Sequence, residues 1–337
     1  MAGLACALVA CSTTPGVVFE RDQVDLRWPA EPDTPRIAYV GRLVSDRDLK
    51  PARSGLESLG DFLFGREEAQ GMISPMAVCT DSGDRVFVAD PGVQGVHAFN
   101  LRTRDYAVWR TPEGETPLMQ PVGLALTSAG RLLVADSAAG LLFAFDSKGV
   151  LLGTLGESSL DRPVGVAVDP IDGRVFVTDA GAHQLVVLSP DGEEVARIGR
   201  RGSEPSEFNF PTNVALDRDG RCYVADTLNF RVQVFGEGLE HLATIGSKGD
   251  MPGYFAQPKG VGIDPEGHLY VVDAHFEAVQ VFNDEGRLLM TFGSEGRGLG
   301  EFWLPAGLFI DAKGWVWIAD SYNRRVQVFE YLPEETG

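Results

Sequence analysis

The sequence is poor in basic residues. It has 29 Lys and Arg against 48 Asp and Glu in 337 residues, which gives a formal net charge of -19. A protein that binds nucleic acid needs clustered cations to displace counterions from the phosphates, and anionic membrane surfaces attract the same clusters. We therefore expect no nucleic-acid partner and no electrostatic attachment to a membrane.

Cysteine and histidine are also scarce, with four and five residues. Cys79 and Cys222 lie in strand-like runs far apart in the chain, so a disulfide framework is not indicated and core packing is expected. The patterns GxSxG, CxxC, HExxH and the P-loop are absent. The motifs therefore give no support to nucleophilic, redox, zinc-protease or nucleotide chemistry, and no cofactor is predicted.

No apolar run is long enough to span a bilayer, and residues 1–10 (MAGLACALVA) form a short uncharged segment typical of a signal peptide. The residues from Leu8 to Ser12 resemble the lipobox of bacterial lipoproteins, although no Lys or Arg precedes them. The resemblance implies lipidation at Cys11, and Ser12 implies sorting to the outer membrane. We expect an outer membrane lipoprotein of the bacterial cell envelope, facing the periplasm or the exterior. The alternative is an ordinary apolar N-terminus with an incidental Cys.

One strand ending recurs six times, and each copy closes with an Asp. The copies are RVFVAD, RLLVAD, RVFVTD, RCYVAD, HLYVVD and WVWIAD, ending at Asp90, Asp136, Asp179, Asp226, Asp273 and Asp320. They are spaced 46, 43, 47, 47 and 47 residues apart, which is the size of a propeller blade.

Each repeat contains four strand signals separated by turns rich in Asp and Gly, as in PKGVGID, HLYVVD, AVQVFN and RLLMTFG of the fifth repeat. Runs such as Val164 to Val168 lack polar alternation, so both faces of the strand are expected to be buried. The sequence predicts an all-β fold, a six-bladed β-propeller of four-stranded antiparallel blades.

The ring closure is also predicted. The sixth repeat lacks its outermost strand, whereas Ile37 to Leu43 form a strand signal with no repeat of its own. We expect this N-terminal strand to pair with Val326 to Phe329 and to close the ring, because closure removes open sheet edges. The predicted organisation is a signal peptide at 1–10, a lipidated tether at 11–35, the propeller at 36–331 and a tail at 332–337. A short amphipathic helix is predicted at 56–64.

The segments DTLNFRVQVF from Asp226 and DSYNRRVQVF from Asp320, with the linkers GSKGDMPGYFAQP and GSEGRGLGEFWLP, resemble the NHL repeat. Repeats one to three lack the Asn and Arg of this pattern, which argues against six equivalent sites. A structural role is expected for the repeat residues, since Asp can accept backbone N–H bonds, Asn tolerates a left-handed backbone and Arg can pair with Asp. Besides the six Asp, the repeat residues given this structural role are Asn229, Arg231, Asn323 and Arg325.

Propellers usually bind ligands at the central opening on the face with the crossover loops. The residues that follow the proline of each inner strand are mostly apolar or small, and Thr212, Asn213 and Lys259 form a polar arc among them. These three are the candidate ligand-binding residues, and a solvated rim without a ligand is the alternative.

Some six-bladed relatives are metal-dependent lyases or lactonases with His, Asp or Asn around a central ion. The inner strands here contain no His, and His183 and His275 are predicted in loops of different blades. No metal site is predicted. We expect a non-enzymatic, lipid-anchored extracytoplasmic scaffold that recognises an envelope protein, peptide or glycan through its loop face. The alternative is a metal-dependent lyase or hydrolase that uses the central opening.

Overall fold

The computed structural model describes residues 16–19, 25–50, 68–81 and 84–333. Cys11, the signal segment and the helix predicted at 56–64 lie outside the described residues. Within the described ranges, no helix is both long and apolar enough to cross a membrane.

Six antiparallel sheets form the structure, one for each predicted blade. Blade 1 contains β3 (Ala77–Thr80), β4 (Arg85–Asp90), β5 (Gly95–Asn100) and β6 (Tyr106–Trp109). Blade 2 contains β7 (Pro121–Leu126), β8 (Leu132–Asp136), β9 (Leu141–Phe145) and β10 (Leu151–Leu155). Blade 3 contains β11 (Pro163–Val168), β12 (Val175–Asp179), β13 (Gln184–Leu188) and β14 (Glu194–Ile198).

The later blades keep this order. Blade 4 contains β15 (Pro211–Leu216), β16 (Cys222–Asp226), β17 (Arg231–Phe235) and β18 (His241–Ile245). Blade 5 contains β19 (Pro258–Ile263), β20 (Leu269–Asp273), β21 (Ala278–Phe282) and β22 (Leu288–Phe292). Blade 6 contains β23 (Leu308–Ile310), β24 (Trp315–Asp320) and β25 (Arg325–Tyr331), with β1 (Arg27–Trp28) and β2 (Ile37–Leu43) added from the N-terminal side. The predicted six-bladed β-propeller is confirmed.

The closing strand pairs as predicted. Strand β2 lies antiparallel to β25, with Leu43 opposite Val326 and Tyr39 opposite Phe329. A further short strand, β1, pairs with the outer edge of β2. The Trp28 ring of β1 packs against the Phe329 ring with centroids 5.8 Å apart. Part of the segment interpreted from the sequence as a tether therefore packs on the ring.

The hydrophobic core is divided among the blade interfaces. Six clusters of buried side chains lie one at each interface between neighbouring blades. Every residue of β8, β12, β16 and β20 is buried. This burial explains the strands without polar alternation, because each blade is covered by a neighbour on both faces. Cys79 and Cys222 are buried free thiols in this core, and burial raises the pKa of both.

Candidate functional site

The inner strands of the blades run between two different faces of the ring. Each inner strand begins on the loop face, which carries the crossovers between blades (for example 199–210, 246–257 and 293–304) and the loops after the repeat Asp residues. Each inner strand ends on the turn face, which carries turns such as 217–221.

The six repeat Asp side chains stabilise the loop face through hydrogen bonds to the backbone. All are fully buried, and each carboxylate accepts the backbone N–H of a residue just before the inner strand of its own blade. In blade 3, for example, Asp179 accepts bonds from Asp161 at 2.6 Å and Arg162 at 3.0 Å. These bonds satisfy backbone donors that would otherwise be buried without partners, so they hold the crossovers in place.

Blades 4 and 6 add the remaining NHL residues to this network. Asn229, Arg231 and Gln233 all donate to the Asp226 carboxylate, with distances of 2.8, 2.8 and 3.1 Å. The Arg231 guanidinium also donates to carbonyl oxygens of Ser203, Glu204 and Glu207 in the preceding crossover. Asn323, Arg325 and Gln327 repeat these contacts around Asp320. The contacts are internal, and they explain the motif without any ligand.

The inner strands surround a central channel, and neighbouring strands approach one another closely at a level that we call the neck. At the neck, a Cβ on Gly165 would lie 2.6 Å from Cα of Asn213, and one on Gly307 would lie 2.6 Å from the Met76 carbonyl oxygen. Neighbouring inner strands are therefore too close there for side chains. Ala77 in blade 1 and Asn213 in blade 4 are the exceptions to glycine at this level, and the Asn213 amide oxygen accepts a bond of 3.4 Å from Val261 N–H.

The neck separates two chambers, both lined by Asn213 and Gly307. The lower chamber, toward the turn face, has a volume of about 500 Å³ and is lined largely by aliphatic side chains of the inner strands. The upper chamber opens on the loop face and has a volume of about 340 Å³. Its apolar wall includes Met76, Val122, Val164, Ala180, Phe210 and Ala306. Its polar wall consists of Gln120, Ser137, Arg162, Thr212, Asn213 and Lys259.

The three ligand candidates from the sequence thus lie together in the upper chamber, but their side chains differ in availability. The Thr212 hydroxyl lies 2.7 Å from the Thr227 hydroxyl and donates to the Lys259 carbonyl oxygen at 3.1 Å, so it links blades 4 and 5. The Lys259 ammonium has no hydrogen-bond or ion-pair partner among the residues that the structure describes. Lys259 is half-buried, and burial lowers the pKa of its amine.

Sequence reasoning missed Arg162, Gln120 and Ser137. Gln120 and Arg162 directly precede the prolines that open β7 and β11, and Ser137 directly follows a repeat Asp. The position before the proline of each inner strand is therefore the sequence feature that could have identified Gln120 and Arg162. The Arg162 guanidinium stacks over the Phe210 ring, 5.3 Å from its centroid.

The structure does not bring metal ligands together within the described ranges, where no group of three His, Cys, Asp or Glu could hold an ion. His183 Nδ1 accepts the backbone N–H of Phe210 at 3.1 Å, which is a structural contact. The Asp residues at the ends of the inner strands act in turns. Asp217, for example, accepts the N–H groups of Asp219 and Arg221 at 2.9 Å each.

On the turn face, His268 is expected to make the stability of the fold depend on pH. Its Nδ1 lies 2.9 Å from the Asp264 carboxylate, and this hydrogen bond raises the His268 pKa above its ordinary value of 6.5. The protonated form is favoured in the folded state, so the stabilisation is fully present below pH 6.5 and is lost as pH rises through the folded pKa. Urea unfolding across this range should show a decline that the His268→Gln variant lacks. Equal pH profiles for the two proteins would contradict this assignment.

The comparisons with known proteins agree with this architecture. The NHL repeat model matches residues 160–188 and 208–235. Rat (Rattus norvegicus) peptidylglycine alpha-amidating monooxygenase is 32% identical over an alignment of 118 residues that covers 31% of this chain and 12% of that protein. The match therefore spans only a small part of that relative.

Two solved structures share the fold at low sequence identity. Virginiamycin B lyase from Staphylococcus aureus has a TM-score of 0.58 at 15% identity, over 77% of this chain and 96% of that one. An auxiliary nutrient binding protein from Bacteroides thetaiotaomicron has a TM-score of 0.61 at 12% identity, over 77% of this chain and 70% of that one. One neighbour is named as an enzyme and the other as a binding protein, so the shared fold does not choose between these functions. The protein is thus a six-bladed β-propeller that contains NHL repeats.

Proposed function

We propose that this protein is a non-enzymatic binding scaffold that recognises an envelope protein, a peptide or a glycan through its loop face. The observation that supports it most is the upper chamber, a concave opening of about 340 Å³ in which polar groups from several blades converge on an apolar wall. Ligand sites have this combination of an apolar surface and a few placed polar groups.

The surroundings of the chamber suit a macromolecular ligand. Loop-face side chains leave apolar surface exposed, with Leu228 44%, Tyr254 40% and Tyr322 60% exposed. The Trp303 ring lies beside the Tyr322 ring, with centroids 5.5 Å apart. The Arg297 guanidinium lies over the Trp303 ring, 4.3 Å from its centroid. Aromatic and Arg side chains are enriched where proteins bind partners.

A metal-dependent lyase or hydrolase is the competing proposal, and the name of the Staphylococcus aureus neighbour raises it. Among the described residues, those that line the upper chamber include no His, Cys, Asp or Glu. They therefore lack the usual protein ligands of a catalytic metal.

The cellular setting of the proposal rests on the sequence. The apolar segment 1–10 and the Cys11 context favour export and lipid anchoring, with the loop face available to envelope partners. Mass spectrometry of membrane-extracted protein should find Cys11 acylated at the mature N-terminus. An unmodified chain that retains Met1 would contradict the anchor.

The binding function can be tested on peptide and glycan arrays with a soluble Cys11→Ser protein. A Val122→Trp variant should lose most of the binding, because the indole fills the upper chamber. Val150→Trp is the matched control, since Val150 is 57% exposed beside a turn on the opposite face. Binding that survives Val122→Trp, or that requires a divalent cation and is followed by turnover of the ligand, would overturn the proposal.

A further inference from the structure

The upper chamber differs in charge from the rest of the molecule. The chain has a formal net charge of -19, yet among the described residues the two charged ones that line this chamber are Arg162 and Lys259. They come from blades 3 and 5, on either side of Thr212 in blade 4. An acidic protein therefore presents a cationic opening at its axis.

Lys259 is a cation without a counter-ion among the described residues. The residue lines the chamber, its amine has no hydrogen-bond or ion-pair partner in the part of the chain that the structure describes, and burial lowers its pKa. A partly buried charge is unfavourable unless another group compensates for it. A bound anion would supply that compensation.

A second positive charge enters the chamber from blade 3, the other neighbour of blade 4. The Arg162 guanidinium lies over the Phe210 ring and makes no ion pair with any described residue. Burial lowers the pKa of His183, which contacts Phe210; among the nearby charges, Arg201 and Arg162 lower this pKa and Asp226 and Asp179 raise it. Two different blades thus favour negative charge at the chamber mouth.

The rest of the chamber wall indicates that the uncharged part of such a ligand is apolar. Met76, Val122, Val164 and Ala306 present apolar surface in the same chamber. Their surface would take the hydrocarbon part of a ligand, and a volume of about 340 Å³ accommodates a group the size of a large amino-acid side chain.

We propose that the upper chamber binds a carboxylate attached to an apolar body, with Lys259 and Arg162 receiving the carboxylate. This inference rests on the proposed function, because it specifies the ligand group that the same opening accepts. The carboxylate can belong to a free organic acid or to the terminus of a peptide. Charge-assisted hydrogen bonds from two cations to one carboxylate are short and strong.

Isothermal titration with 4-methylpentanoate and its neutral amide tests the free acid. A tripeptide ending in Leu, with a free or an amidated C-terminus, tests the peptide source. Lys259→Met should weaken carboxylate binding by about tenfold to a hundredfold, as expected for the loss of one charge-assisted bond. Lys248→Met is the matched control, because Lys248 is an exposed loop-face cation that lies over Phe230 outside the chamber. It should bind like the wild type.

Lysine-specific NMR supplies a second measurement. The pKa of the Lys259 amine should rise when 4-methylpentanoate binds, because the carboxylate favours the charged form. Equal binding by Lys259→Met and the wild type, or equal binding of acid and amide, would overturn the inference. If array ligands lose binding in Val122→Trp but not in Lys259→Met, the anion site alone would be refuted and the binding function would stand. If 4-methylpentanoate binds but no peptide or glycan on the arrays does, the proposed recognition of a macromolecule would be refuted instead.

Discussion

Replacement of Asp320 with Ala should lower the free energy of unfolding by about 3–5 kcal/mol, the usual effect of removing one partner from a buried ion pair. The Asp320 carboxylate is fully buried and accepts bonds from Trp303 N–H at 2.8 Å, Asn323 at 2.9 Å and Arg325 at 2.7 Å. Arg325 is itself only 2% exposed, so water cannot replace the lost carboxylate. The variant leaves a buried cation and several buried donors without their acceptor.

Two further variants separate the reasons for this loss. Asp320→Asn keeps an acceptor but removes the charge, and it should fall between Asp320→Ala and the wild type in urea unfolding. Glu285→Ala breaks an exposed pair with Arg287 at 2.9 Å and should cost less than about 1 kcal/mol. An Asp320→Ala protein within about 1 kcal/mol of the wild type would refute the structural role of the network.

Removal of the closing strand should abolish cooperative folding. Ile37, Tyr39, Val40 and Leu43 of β2 are all buried against blade 6 and its neighbours. Burial of each large apolar side chain is worth about 1.5–3 kcal/mol, so their sum approaches the 5–15 kcal/mol that typically stabilises a whole domain. The truncation also exposes the edge of β25, which invites aggregation.

A chain that starts at residue 44 should therefore be largely associated in size-exclusion chromatography and lack a cooperative urea transition. A chain that starts at residue 25 retains β1 and β2 and should unfold cooperatively. A synthetic peptide of residues 25–45, added in excess to the shorter chain, should restore part of the transition, since it binds only the folded ring. A shorter chain that is monomeric and unfolds at the wild-type urea midpoint would show that the ring does not depend on this closure.

Most of the fold could be predicted because each blade repeats one local pattern. The even spacing of the repeat Asp residues from Asp90 to Asp320 indicated six blades, and the missing last strand indicated the closing partner. Strand β1 was not predicted, because a two-residue strand directly before a proline has no periodicity. Trp28 is placed there by its contacts with rings that come from distant parts of the chain.

The site could be predicted only in part. The sequence placed Thr212, Asn213 and Lys259 at one opening because each occupies the same position, or the next one, after the proline of its inner strand. The sequence could not show that the Thr212 hydroxyl is hydrogen-bonded to the Thr227 hydroxyl. It also could not show that the Lys259 amine lacks a partner in the described part of the chain. These differences depend on side-chain distances within and between blades, which a repeat pattern does not specify.

The sequence by itself determined the blade number, the strand order, the closure and the buried role open to the repeat Asp residues. These features follow from local hydrophobic patterns, turn residues and repeat length, which act over short stretches of chain. The tertiary structure alone decided how closely the inner strands approach, that Arg162 joins Lys259 in the upper chamber, and that no carboxylate of the described residues lines that chamber. The physical reason is that the ring brings together residues nearly a hundred positions apart, and only their packing fixes which charges meet.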